Sequence, residues 1–313
     1  MYKKVLVTGG SGFLGRRIVE ECKNLGHEVL HPRSSEMDLY DFENLKKFIK
    51  ENSPDVIIHS AAYYGGIGIC DAEPANLFHN NVLMTANVYK SASECKVDKV
   101  VSVGSACAYP SLVDGQMKED DFWKGPLHHT VEAYGSSKKI QQIAQNAYYK
   151  QHGLKGNHLV ITNLYGEHDV FTAYRSHVVA ALIKRFSDEV EKGSDVITNW
   201  GDGTPLREFI YVGDAAKALA LSVNLDHDLK PINIGTGIGT SIKELAEIVA
   251  RNLNFTGRLE WDTSKPNGVP KKVLDITRMN KTFPGFSPMS FEDGLKKTLE
   301  WYLENKESAD SRK

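Results

Sequence analysis

The sequence predicts an α/β fold organised around a parallel β-sheet, with a less regular α/β unit behind it, and three observations carry that prediction. Short apolar runs rich in β-branched residues alternate with longer amphipathic stretches through the first half of the chain, the rhythm of repeated strand-helix-strand units. The first run passes straight into a glycine-rich turn, "TGGSGFLG", that opens a helical pattern. Beyond Gly166 the regular alternation breaks up. At 313 residues the chain suits one large domain or two unequal ones sharing a cleft.

The elements follow in order. "KKVLVTG" is a continuous apolar run, as a strand buried on both faces requires, and "RRIVEECKNLG" is an amphipathic helix. "EVLHP" and "DVIIHSAA" read as the next strands, followed by a helix of roughly 82–95 after "NNV". "KVVSVGSACAYP" reads as one buried strand running through Cys107, then comes a helix of about 134–151, then "KGNHLVITNLYG" as a further strand. Residues 167–210 are mixed, 214–223 look helical, and "INIGTG" precedes "SIKELAEIVARNL", a helix with Ser241 as its cap and Glu244 three residues on. The expected division is 1–165 for a cofactor-binding domain, with about 205–235 as candidates to return to it, and 166–308 mainly for a substrate domain. The polar tail 309–313, "ADSRK", is expected to fray.

Composition excludes several classes. With 41% hydrophobic and 25% charged residues and a net charge of -2, nothing favours nucleic acid or a membrane surface as partner. The first apolar run is too short for a signal peptide and no stretch reaches bilayer-spanning length, so a cytoplasmic protein is expected. Four cysteines, Cys22, Cys70, Cys95 and Cys107, have neither paired nor metal-like spacing. No metal is expected.

In the glycine-rich turn, Gly9, Gly12 and Gly15 let the backbone turn tightly and approach a pyrophosphate. Its charge then rests on the start of the following helix, at Phe13 and Leu14. The end of the second strand decides which dinucleotide is held. An NAD site carries an acidic residue there for the ribose 2′-hydroxyl, whereas "LHPRSS" offers Arg33 with Ser34 and Ser35, and Ser11 from the turn. That set suits a 2′-phosphate, hence NADP. Asp38 in "MDLYD" lies near where an adenine edge would be read, or caps the helix that follows.

Reaction chemistry shows at "YGSSK", where Tyr134 and Lys138 stand four apart on one helix face. An ammonium beside a phenol favours the phenolate, so a lowered tyrosine pKa is expected, with proton exchange at a substrate oxygen while hydride moves. Ser105, at the end of an earlier strand, can hydrogen-bond the same oxygen. Alternation along that strand turns Cys107 to the same face.

TGxxGxxG, a strand-end serine and YxxxK, in this order, resemble the extended short-chain dehydrogenase/reductase family. "GGIG" (65–68), "GSACAYP", "NLYGEHD", "SHVVAALIKRF", "WGDGTPLREF" and "SKPNGVPKKVLD" are similar, within it, to the GDP-L-fucose synthase family over nearly the whole chain. The resemblance implies a Rossmann-like doubly wound parallel sheet with a smaller C-terminal α/β substrate domain. It implies NADPH as cofactor, a GDP-sugar as substrate, and a homodimer joined through the helices of about 82–95 and 134–151. The implied reaction epimerises C3 and C5 of GDP-4-keto-6-deoxy-D-mannose and then reduces the C4 ketone. Cys107 and His177 take the proton transfers, His177 also bordering the cofactor. Tyr134 protonates the C4 oxygen, Ser105 orients it, and Lys138 binds the nicotinamide ribose. Arg185 and Arg207 are implied partners of the diphosphate, whose oxygens fit a guanidinium fork. Trp200 and Lys265 are candidates to contact the nucleotide, and Asn163 positions the sugar or stabilises the turn after its strand.

The chain departs from that family's pattern at Val170, where HDNF is usual, at Asn267, where SKPDG is usual, and at Ile161 in place of a proline. Bulky Tyr174 and Arg175 precede His177. Every proposed proton-transfer residue survives, and the sugar stays open: a 4-reductase or single-carbon epimerase/reductase on a related GDP-4-keto-6-deoxy sugar, including a heptose, is the alternative. A non-catalytic dinucleotide sensor is an alternative of another class, and the intact Ser, Tyr and Lys set argues against it.

Overall fold

Consecutive residues of the first strand, β1 (Lys4–Thr8), feed two different cores. Val5 and Val7 pack with Ile58, Val101 and Val103, while Leu6 packs with Ile57 and Val100. A period of two with both phases apolar is what a sheet covered on both sides demands. The computed structural model describes every residue except 1, 112, 114, 173, 174, 266, 268, 312 and 313.

The first half runs β1, α1 (Phe13–Asn24), β2 (Glu28–Leu30), α2 (Phe42–Asn52), β3 (Val56–His59), α3 (Ile67–Ala72), α4 (Pro74–Glu94), β4 (Lys99–Ser105), α5 (Glu132–His152) and β5 (Lys155–Ile161). The second half runs β6 (Asn163–Tyr165), α6 (Val178–Glu191), β7 (Val196–Trp200), β8 (Leu206–Arg207), β9 (Phe209–Tyr211), α7 (Val212–Leu221) and β10 (Ile232–Ile234). It continues with β11 (Thr240–Ser241), α8 (Ile242–Asn252), β12 (Arg258–Asp262), β13 (Lys271–Lys272), α9 (Thr277–Thr282), α10 (Phe291–Glu304) and α11 (Lys306–Asp310).

Six parallel strands form the main sheet in the order β2-β1-β3-β4-β5-β10. The winding reverses between β1 and β3, so the carboxyl ends of those strands flank the crevice where doubly wound sheets bind ligands. Helix α1 packs against α7 on one face, and α4 packs against α2 and α5 on the other. β10 returns late in the sequence to lie beside β5, pairing Asn233 with Val160. The remaining strands build three small sheets, β11-β8-β13, β12-β7 and β6-β9. Ile183 and Phe186 of α6 and Leu245 and Val249 of α8 belong to the same apolar cluster as Val5 and Val7. The two regions therefore share a core. Among the described residues no helix is long and apolar enough to cross a membrane.

Local chemistry corrects five expectations. The Cys107 strand stops at Ser105, because the Ser105 hydroxyl accepts the Cys107 N–H at 3.2 Å and winds Ala106–Ala108 into a 3-10 turn. "KGNHLVITNLYG" is two strands in separate sheets. The helix expected from residue 82 begins at Pro74, a residue whose fixed φ and missing N–H suit a first turn. Asp41, and not Asp38, caps α2, accepting from the N–H groups of Glu43 and Asn44, while Asp38 accepts from the Tyr40 N–H. Ala309 and Asp310 do not fray: Ala309 is buried in α11 and Asp310 pairs with Lys184 at 2.9 Å. The last two residues of that tail, like Tyr174, lie outside the described residues. The Ser241–Glu244 capping box on α8 forms reciprocally, at 3.0 and 2.8 Å.

Candidate active site

The turn after β1 is shaped for a ligand that approaches backbone. Gly9 has φ +67°, and a Cβ on Gly15 would lie 2.0 Å from the Gly9 carbonyl oxygen, so only glycine lets α1 rest directly on the turn. No side chain caps α1 at Gly12, and the first N–H groups of a helix have no intrahelical partner. With the helix dipole behind them they make an anion seat. Phe13 and Leu14 are buried under it. Arg33, Ser34 and Ser35 stand exposed after β2, in a loop pinned by the Arg33 N–H donating to Glu36 at 2.7 Å. The Arg16 guanidinium donates to the Ser11 carbonyl at 3.1 Å, adding a second cation to this rim. Glycines, bare helix start and two arginines fit a phosphorylated dinucleotide.

At the carboxyl end of β4 the structure brings Ser105, Cys107, Tyr134 and Lys138 together. Helix α5 comes so close to the 3-10 turn that a Cβ on Gly135 would lie 2.4 Å from the Cys107 carbonyl oxygen. Tyr134 lies near the Ser105 side chain and within the electrostatic reach of Cys107, Cys70 and Tyr64. Its pKa is pushed up, by burial first and by those three neighbours next, with the Ser105 side chain opposing. The expected lowering by Lys138 is therefore corrected. The Lys138 ammonium donates to the Val103 carbonyl at 3.0 Å and sits over the Tyr134 ring, 5.6 Å from its centroid. Burial brings Lys138 itself down to about 8. Tyr134 is held as a phenol, a form ready to give a proton.

His177 precedes α6 and lies in an aromatic slot, stacked on Tyr64 at 5.7 Å and 12° and tilted against Phe13 at 6.4 Å. Its Nδ1 is 3.2 Å from both carboxylate oxygens of Asp169, which is 1% exposed. Burial works against the imidazolium, but the Asp169 charge and hydrogen bond outweigh it and the His177 pKa is raised. Tyr64 links this slot to Tyr134.

On the substrate side, Arg207 lies in β8 and its guanidinium donates to the carbonyls of Leu206 at 2.8 Å and Val269 at 2.6 Å. Burial lowers its pKa, and Cys107 is near enough to oppose that electrostatically. Arg185 on α6 is half-buried and bonds the Asn199 side chain oxygen of β7. Trp200, next in β7, is 74% exposed, so its indole lies outside the core. Lys265 is exposed on the turn after β12. Asn163 donates to the Glu208 carbonyl at 2.7 Å, so its amide nitrogen ties β6 to the segment after Arg207.

Four residues with a place in this site escaped the sequence reading. Asp169 stood within the quoted "NLYGEHD" with nothing in the chain to say that it would meet His177. Tyr64 directly precedes "GGIG". Lys272 of β13 is the register partner of Arg207 and, with it, acts on His128. Glu208, wholly buried, gathers the N–H groups of Thr236, Gly237 and Leu274 on its carboxylate, bracing the loops around Arg207. An acidic residue flanked by "LR" and "FIY" was a usable signal, since a carboxylate in an apolar run must find buried donors.

Residues 5–235 match the NAD dependent epimerase/dehydratase family. The chain is 33% identical to the GDP-L-fucose synthase of Escherichia coli (strain K12) over 315 residues, covering 97% of this chain and 98% of that protein. Among solved structures it superposes with a TM-score of 0.90 on a GDP-L-fucose synthetase from Naegleria fowleri bound to NADP, at 27% identity and 98% and 96% coverage. A GDP-6-OMe-4-keto-L-xylo-heptose reductase from C. jejuni gives a TM-score of 0.89 at 26% identity, with 97% and 98% coverage.

Proposed function

The chain belongs to the NAD dependent epimerase/dehydratase family, among its GDP-L-fucose synthases, as an NADP-dependent oxidoreductase with epimerase activity, and we propose that it converts GDP-4-keto-6-deoxy-D-mannose to GDP-L-fucose. One observation carries the reading: Ser105, Cys107, Tyr134 and Lys138 converge at one sheet end, with Arg207 beside the thiol and His177 across Tyr64.

Protons next to a ketone are acidic enough to remove when a base and an acid flank the sugar. Cys107 and His177 take those parts at C3 and C5. The raised pKa of His177 suits it to donate. NADPH, when bound, supplies the hydride for the C4 ketone. Tyr134, kept protonated by its burial, gives its proton to the C4 oxygen, and the Ser105 hydroxyl orients that oxygen. Lys138 lies one helical turn on and takes the nicotinamide ribose. Gly9, Gly12, Phe13, Leu14 and Gly15 hold the pyrophosphate, and Arg33 the 2′-phosphate. Arg185, Arg207, Trp200 and Lys265 take the GDP moiety, with Asn163 at the sugar.

In this reading residues 1–165 and about 205–235 serve the cofactor and the rest mainly the substrate. Two copies join through α4 and α5, whose outer faces leave Phe78 44% and Ile143 53% exposed. The enzyme works in the cytoplasm, with NADPH at hand. A second reading, reduction of a GDP-4-keto-heptose, is favoured by the C. jejuni relative and by Val170 and Asn267. Nicotinamide absorbance followed with each sugar decides between them. Faster NADPH consumption with the deoxymannose sugar supports the first reading, and consumption with the heptose alone replaces it. Consumption with neither revives the sensor.

A further inference from the structure

We propose that Asp169 is the positioning residue that fixes His177 as the proton donor of the epimerisation, an inference that rests on the function proposed above. The geometry is specific. Both carboxylate oxygens lie 3.2 Å from Nδ1, so that nitrogen carries the hydrogen and Nε2 is left as the ring's other site. The carboxylate is itself fixed, because Oδ1 accepts the Val170 N–H at 2.8 Å. Tyr64 stacked against the imidazole leaves the ring little freedom to turn. A histidine held in this way presents one nitrogen in one direction, as a substrate proton requires.

Among the described residues, the charged and titratable groups set against or beside His177 are Asp169, Tyr64 and Arg175. Asp169 comes from the loop after β6 and Tyr64 from the segment after β3, while α1 contributes only the apolar Phe13. Arg175, in the segment leading to His177, is engaged by the Tyr64 carbonyl at 3.1 Å. A carboxylate is thus the charge nearest the ring, and it favours the imidazolium. An acid of this kind works below its own pKa and is lost as pH rises through it. Without the Asp169 charge that loss moves to lower pH.

The test uses Asp169→Asn, whose side-chain oxygen can keep the Val170 hydrogen bond while the charge is gone. Two readouts are compared in the full-length protein: the His177 ring titration by nitrogen NMR without ligands, and the pH profile of deuterium uptake from heavy water into GDP-4-keto-6-deoxy-D-mannose. Both should move to lower pH by about one unit or more, the size a single close charge imposes. An unmoved ring titration overturns the pairing. A ring titration that moves while the uptake profile stays still overturns the donor role, and with it the proposed function of His177. Should the variant fail to fold, the wild-type titration alone decides. A His177 value above the ordinary ~6.5 upholds the pairing, and one below it refutes the pairing.

Discussion

A methyl group on Gly66 would sit 2.4 Å from the Ser176 carbonyl oxygen, one residue before His177. The backbone at Gly66, with φ -69° and ψ -171°, suits any residue, so Gly66→Ala acts through this contact alone. Ordinary van der Waals separation needs about 1 Å more room. Neither partner is a flexible side chain, and the Gly66 N–H also donates to the Arg175 carbonyl at 3.2 Å. The two segments must therefore part. His177 moves with its neighbour, away from Asp169 and Tyr64. The fold absorbs an overpacking cost of about 1–3 kcal/mol, while a misplacement near 1 Å in a catalytic group costs about a hundredfold in rate. The assay is deuterium uptake at C3 and C5 of the keto-sugar in heavy water, with NADPH affinity measured in parallel. Uptake should fall about a hundredfold while NADPH affinity falls far less, because the glycine turn at Gly9, Gly12 and Gly15 lies on other residues and His177 only borders the cofactor. A folded Gly66→Ala protein with wild-type uptake would show that the "GGIG" segment does not set the position of His177.

Further outcomes follow from the same geometry. Tyr134→Phe should lose about a hundred- to ten-thousandfold in NADPH-dependent reduction while still exchanging protons next to the ketone, and reduction at the normal rate refutes the assignment. Gly15→Ala puts a Cβ against the Gly9 oxygen and should weaken NADPH binding measured by fluorescence; unchanged affinity would deny that this turn holds the cofactor. Lys138→Met tests the cost of a buried ammonium. Because the folded-state pKa, about 8, lies below the ordinary 10.5, the charge disfavours the fold fully below about 8, and the penalty fades as pH rises toward 10.5. The melting temperature of Lys138→Met relative to wild type should therefore be highest below pH ~8 and decline above it; a flat difference contradicts the burial effect.

How much of this the sequence carried depends on the range of the interaction. The α8 cap was legible because Ser241 and Glu244 are three residues apart and satisfy each other. So was the glycine turn, where a strand, three glycines and a helix pattern adjoin. Strand alternation predicts that Cys107 shares the face of Ser105, but the strand ends at Ser105 and a 3-10 turn sets where Cys107 lies. The sign of the Tyr134 shift was misread because spacing alone shows that Lys138 is on the same helix face. It does not show that the ammonium turns to the Val103 carbonyl or that burial dominates. Asp169 with His177, Lys272 with Arg207 and Glu208 with Leu274 were invisible because tertiary packing alone unites them. The return of β10 to the main sheet was expected only as a candidate stretch, since three apolar residues carry little periodicity.

The most direct measurement mixes the wild-type protein with NADPH and GDP-4-keto-6-deoxy-D-mannose in heavy water and locates deuterium in the product by NMR. NADPH consumption with deuterium at both C3 and C5 is the predicted result, in which Cys107 and His177 act before Tyr134. Reduction with label at one carbon or at neither would contradict a double epimerisation and leave a narrower reductase.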